Sequence, residues 1–179
     1  MFNFDYDATK YGPHEIDLIY DILFKGHSAL FNYSLSEQMG LIYDYDSRIE
    51  RYSNIGRIYF SYEISFDDLY ESLGASIKVL QNLKGNLSDF DFERAKLYVM
   101  TSTKMDNVED ANWHLSYDNH ILSYGYSDFD EERVLYAKIT KNRLAAVIQE
   151  IFRPENLTVA IRAIKKVDVD KIKNLVSAI

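Results

Sequence analysis

Phe2, Phe4 and Tyr6 alternate with Asn3 and Asp5 at the start of the chain, the period of a strand with one buried face. Gly12-Pro13 then punctuates the sequence. From Glu15, the spacing of Ile16, Ile19, Tyr20 and Leu23 describes one face of a helix that ends near Lys25-Gly26. A shorter helix is predicted over 29–39, closed by Gly40, which can take the left-handed conformation found at helix C-termini. The segments 41–46 and 57–64 read as an antiparallel pair of strands joined by a turn at 51–56. Tyr43 and Tyr45 alternate in the first, and Ile58, Phe60, Tyr62 and Ile64 share one face of the second.

Ser65 and Asp68 resemble a capping box ahead of a helix carrying Phe66, Leu69, Tyr70, Leu73, Ile77 and Leu80, which closes near Gly85. Ser88 is the expected N-cap of a long helix through about Asp106, with Asp89 and Asp91 placed where the helix dipole favours negative charge. Phe92, Ala95, Val99 and Ser102 mark one side of it. A helix around Trp113, Leu115 and Tyr117, a turn at 124–128 and a short helix over 128–137 follow. Thr140 then caps a helix with Leu144, Val147, Ile148, Ile151 and Phe152 on its apolar side, which stops ahead of Pro154. A strand over 158–164 and a last helix over 169–178 complete the pattern. Strands from both ends and the middle of the chain imply an α+β fold, a largely antiparallel sheet covered by helices. With no repeat or linker in view, 1–179 reads as a single domain.

Composition narrows the function. A chain of 179 residues that is 47% apolar can bury a substantial core, and its net charge of −8 argues against a nucleic-acid partner. The one dense basic stretch, Lys165, Lys166, Lys171 and Lys173, is interrupted by Asp168 and Asp170 and reads as a solvated face. No apolar run approaches the roughly 20 residues of a membrane span, and the first residues lack the features of a signal peptide, so a cytoplasmic protein without a membrane partner is expected.

Catalytic devices are thin. With no cysteine, the chain has neither thiol nucleophile nor thiolate metal ligand. His14, His27, His114 and His120 show no pair at the spacing that puts two ligands on one helix face, and there is no phosphate loop or nucleophile elbow. Acid pairs such as Asp44/Asp46 and Asp89/Asp91 read as caps and solvated surface rather than as a hydrolytic pair.

Three segments in fixed order carry a more specific signal. They are Leu35, Glu37, Gly40, Leu41 and Tyr43; then Ser88, Arg94, Ala95 and Lys96; then, after Ile139, Pro154-Glu-Asn-Leu-Thr158. Their order and spacing resemble the insulinase/pitrilysin family of zinc metallopeptidases, specifically the non-catalytic, C-terminal-type half of each unit. The resemblance implies the mitochondrial-processing-peptidase-like metallohydrolase fold. It also implies that this chain binds no cofactor, is inactive alone, and packs on a zinc-bearing peptidase domain or subunit to form one wall of a peptide-binding cleft.

In active members this half contributes an Arg and a Tyr, seven residues apart, to the peptide substrate. Tyr43 matches the Tyr, whereas Ser36 stands at the Arg position and cannot supply a guanidinium. Tyr43 and Ser36 are therefore the expected substrate-binding positions. The missing Arg also favours an alternative, an inactive paralogue that serves as an interaction or scaffold subunit.

Overall fold

The computed structural model describes residues 1–106 and 129–179. Strand β1 (Phe2–Asp7) leads to helix α1 (Pro13–Phe24), a π-helical segment (Asn32–Gln38), strands β2 (Tyr45–Arg51) and β3 (Ile55–Tyr62), and helices α2 (Leu69–Gly85) and α3 (Asp89–Asp106). Helices α4 (Phe129–Lys138) and α5 (Lys141–Ile151), a 3-10 turn (Pro154–Asn156), strand β4 (Leu157–Val159) and helix α6 (Val169–Val176) follow. The expected helix around Trp113, Leu115 and Tyr117, the turn at 124–128, and His114 and His120 lie outside the described residues.

The fold is α+β, with one four-stranded antiparallel sheet in the order β2-β3-β1-β4. Alternation along each strand assigns its two faces. Phe2, Phe4, Ile58 and Phe60 are buried on the helix side, where they join Ile16, Ile19 and Leu23 of α1 and Leu144, Ile148 and Ile151 of α5 in one apolar core. Phe60 centres an aromatic group. Its ring stacks on Phe2 at 4.6 Å between centroids and also lies 4.4 Å from Phe31 and 5.4 Å from Phe24. The opposite face is polar. There Arg57 pairs with Asp5 across the β1–β3 ladder, and the Arg48 guanidinium lies 4.8 Å over the Tyr59 ring.

Three elements differ from the sequence reading. The segment expected as a helix over 29–39 winds as a π-helix across Asn32–Gln38, because a stretch this short carries too few apolar positions to separate one helical period from another. Gly40 closes it as expected. With Gly40 at φ 60, Gly40 N donates to Ser36 O at 2.9 Å and Leu41 N to Leu35 O at 2.8 Å.

That closure moves the first strand of the central pair along the chain. Ile42 is drawn into the core, Tyr45 N donates to Asp44 Oδ1, and pairing with β3 runs from Tyr45↔Tyr62 to Arg51↔Gly56. Tyr43 therefore precedes β2 instead of alternating within it, and Arg51 belongs to the strand. The last strand is three residues long where 158–164 was expected. Its register runs toward the beginning of β1, is completed by Ala160 N donating to Met1 O, and leaves Ile161 onward unpaired in the sheet.

The joints are built by caps. Ser88 Oγ accepts from Asp91 N at the start of α3, and Thr140 Oγ1 accepts from Arg143 N at the start of α5. Ser65 and Asp68 do bond each other, but the turn they close stands ahead of α2, whose first residue is Leu69. At helix C-termini, Arg94 of α3 donates to Ile22 O of α1 and to Lys25 O just past it, and Lys96 Nζ donates to Ala137 O of α4 and to Ile139 O just past it. Asn156 Nδ2 does the same for Glu150 O and Ile151 O of α5.

Candidate functional site

At one end of the sheet, where β1 begins, β3 ends, β2 begins and β4 ends, a cleft of about 930 Å³ opens to solvent. Phe2, Tyr62, Ile64, Leu69 and Leu73 form its apolar side. Tyr43, Asp44 and Tyr45 approach from the β2 side, and Ala160, Ile161 and Arg162 from the β4 side.

Tyr43 owes its position to two neighbours. Gly40 reverses the chain and Ile42, 2% exposed, anchors it, so the next residue, Tyr43, stands out at 99% exposure on the cleft wall. The phenol is thus open on both faces and at its hydroxyl. Ser36 is placed differently. It sits half-buried in the π-helical segment, outside the cleft lining, with its carbonyl engaged by Gly40 N.

Deeper in the cleft, Tyr62 shares a hydrogen bond with Ser76 Oγ at 2.9 Å, and burial raises its pKa against the opposing effect of the Ser76 and Ser72 hydroxyls. Tyr45 OH donates to Phe24 O at 2.7 Å and is likewise shifted upward by burial. Both hydroxyls are thereby fixed, which leaves Tyr43 as the cleft tyrosine whose hydroxyl bonds to none of the described residues.

Charge in the cleft was not legible from motif spacing, because its bearers come from four different strand ends. Asp46 is engaged by Arg48 at 2.8 Å. Asp44 accepts only the adjacent Tyr45 N, and Glu63 and Arg162 make no ion pair among the described residues. The Met1 α-ammonium donates to Ala160 O at 2.9 Å, and burial lowers its pKa.

Metal ligation finds no footing in this part of the molecule. Among the described residues, no group of three or more His, Asp or Glu side chains is placed to hold a metal ion. His14 is buried on α1 with its ring edge-on to Tyr136 at 4.7 Å, and His27 is exposed beyond α1. The residues described do not fit a zinc site. The cleft combines an apolar floor, aromatic walls, an exposed phenol, and charges of both signs. No described helix is long and apolar enough to cross a membrane.

No family model matches the chain, and no curated protein matches it either. Solved structures do. A chain of Complex III2 from Candida albicans superposes with a TM-score of 0.74 at 13% identity, over 98% of this chain and 45% of that one. The inactive domain of an M16 peptidase from Pseudomonas fluorescens gives 0.69 at 15% identity, over 90% of this chain and 42% of that one. The inactive peptidase domain of a proposed zinc protease from Bordetella parapertussis gives 0.67 at 15% identity and covers 88% of both. At these identities the likeness is one of fold, and the fold is that of M16 peptidase domains. The chain spans less than half the length of the Candida and Pseudomonas proteins.

Proposed function

We propose that this chain is the zinc-free half of a metallopeptidase unit, packing on a zinc-bearing domain and forming one wall of the cleft that holds the peptide. The observation that carries the reading is the superposition on the inactive Bordetella domain, which accounts for 88% of each chain and leaves little of either outside the shared fold. The partner's zinc would polarise the scissile carbonyl and activate water. This chain's part is to hold the peptide: the apolar floor takes side chains, and the exposed Tyr43 hydroxyl donates to a peptide carbonyl. Ser36, outside the cleft, contributes through the backbone bond that sets Gly40 and so aims Tyr43.

A second reading has its own support. Ser36 stands where the resembled family carries an Arg, and the likeness to a chain of Complex III2 spans 98% of this chain. In that reading the protein is a non-proteolytic scaffold subunit.

The native assembly, isolated from its source cells, separates the two. A peptidase half predicts one zinc per assembly and peptide cleavage that a chelator abolishes, with no cleavage by the 179-residue chain alone. A zinc-free, inactive assembly would favour the scaffold, and cleavage by the isolated chain would refute both readings.

A further inference from the structure

The charges in the cleft are sorted by strand. Across the end of the sheet, the order β2-β3-β1-β4 puts Asp44 and Glu63 on one side and Arg162 on the other, with the apolar floor between them. Three strand spacings separate β2 from β4, about 14 Å at the usual interstrand distance. The remaining charged groups of the lining are engaged: Asp46 by Arg48, and the Met1 α-ammonium by Ala160 O. Glu63 and Arg162 are exposed and make no ion pair among the described residues.

We propose that the cleft reads the charge polarity of a peptide: an extended segment lies across the strand ends with a basic side chain at Asp44 and Glu63 and a carboxylate at Arg162. This inference rests on the peptide-wall reading above and names its ligand class. An extended chain rises about 3.3 Å per residue, so a strand separation of about 14 Å corresponds to roughly four positions along a bound segment. The carboxylate is a side chain or a chain terminus, both of which a guanidinium binds through paired N–H donors. The apolar residues between the charges rest on Tyr62 and Ile64, the half-buried members of the floor. A segment with two like charges meets repulsion at one end, and a segment with adjacent opposite charges reaches only one of the two sites.

The test uses the 15N-labelled chain and amide chemical shifts, which register weak binding. Three eight-residue peptides with the same apolar centre are titrated: one with Lys and Glu four positions apart, one of identical composition with Lys and Glu adjacent, and one with Lys at both of the spaced positions. The spaced opposite pair is expected to bind roughly fivefold to tenfold more tightly than either of the others, with shifts at residues 43–46, 61–64 and 159–162. Arg162→Glu, a change at an exposed position, should transfer that preference to the two-Lys peptide, with the remaining amide spectrum confirming the fold. Equal affinities that Arg162→Glu leaves unchanged would overturn the charge reading while the peptide wall stands. No shift with any peptide would also overturn the charge reading, since the floor and both charged sides belong to this chain.

Discussion

The Tyr6 ring lies across Gly56, its register partner on β3, so closely that a Cβ at Gly56 would sit 2.0 Å from Tyr6 Cζ. A glycine in a strand interior normally weakens the strand, yet here it makes room for an aromatic side chain that closes the core. Burial raises the pKa of the Tyr6 hydroxyl against the opposing effect of the Arg51 guanidinium. Gly56→Ala is expected to destabilise the protein by about 1–3 kcal/mol through overpacking. Gly85→Ala, at the end of α2 where an added Cβ meets nothing within 4 Å, should be neutral or slightly stabilising. Urea unfolding of the two variants checks the contrast.

Phe60 touches aromatic rings from β1, α1 and the chain leading into the π-helical segment. Removing its ring opens a cavity that these three elements, held by their own backbone bonds, cannot fully close. Phe60→Ala should cost about 3–5 kcal/mol and Phe60→Leu markedly less, measured by the same unfolding experiment.

Asp21 is a buried acid on α1, 7% exposed. Burial pushes its carboxyl up to about 7; Asp17 adds to the rise, and Lys25 and Arg94 oppose it. Because the folded-state pKa lies above the unfolded one, the protonated form stabilises the fold at low pH, and that contribution is lost as pH rises through about 7. Stability should therefore fall by on the order of 2 kcal/mol between pH 5.5 and 8. Asp21→Asn removes this slope and is the more stable protein at pH 8. Thermal unfolding across that range, with both proteins in the same buffers, measures it.

Lys96 and Asn156 each satisfy two carbonyls at the end of another helix. Asn156→Ala leaves Glu150 O and Ile151 O without their donor in a part-buried setting and should cost about 1–2 kcal/mol. Lys96→Met keeps the apolar stem and isolates the loss of the ammonium, with an expected cost near 1 kcal/mol. Hydrogen exchange at the last turn of α5 should quicken in the first variant and leave α4 unaffected.

These caps explain how much the sequence could disclose. Ser88 and Thr140 are local N-caps with fixed residue preferences, and the helices they start were legible from the chain; Arg94, Lys96 and Asn156 were visible only as motif residues, because the carbonyls they satisfy belong to other elements. Gly40 was legible for the same reason as the N-caps, since a positive φ narrows the choice of residue. The start of β2 was not, because the Gly40 closure, rather than the alternation of Tyr43 and Tyr45, decides where pairing begins. The end of β4 was set by the reach of β1, a partner more than 150 residues away along the chain. The cleft follows the same logic. Tyr43 belongs to a motif and could be singled out, while Glu63 and Arg162 belong to none and become neighbours of Tyr43 only through the strand order.

The most direct test of the peptide-wall account places a photo-crosslinking residue, p-benzoylphenylalanine, at position 43 of the chain within its native assembly. With a peptide bound, irradiation is expected to join position 43 to the peptide, and Ser36, replaced in the same way, to give no such product. A crosslink from position 43 to a neighbouring protein subunit, with none to peptide, would place Tyr43 in a subunit interface and contradict the account.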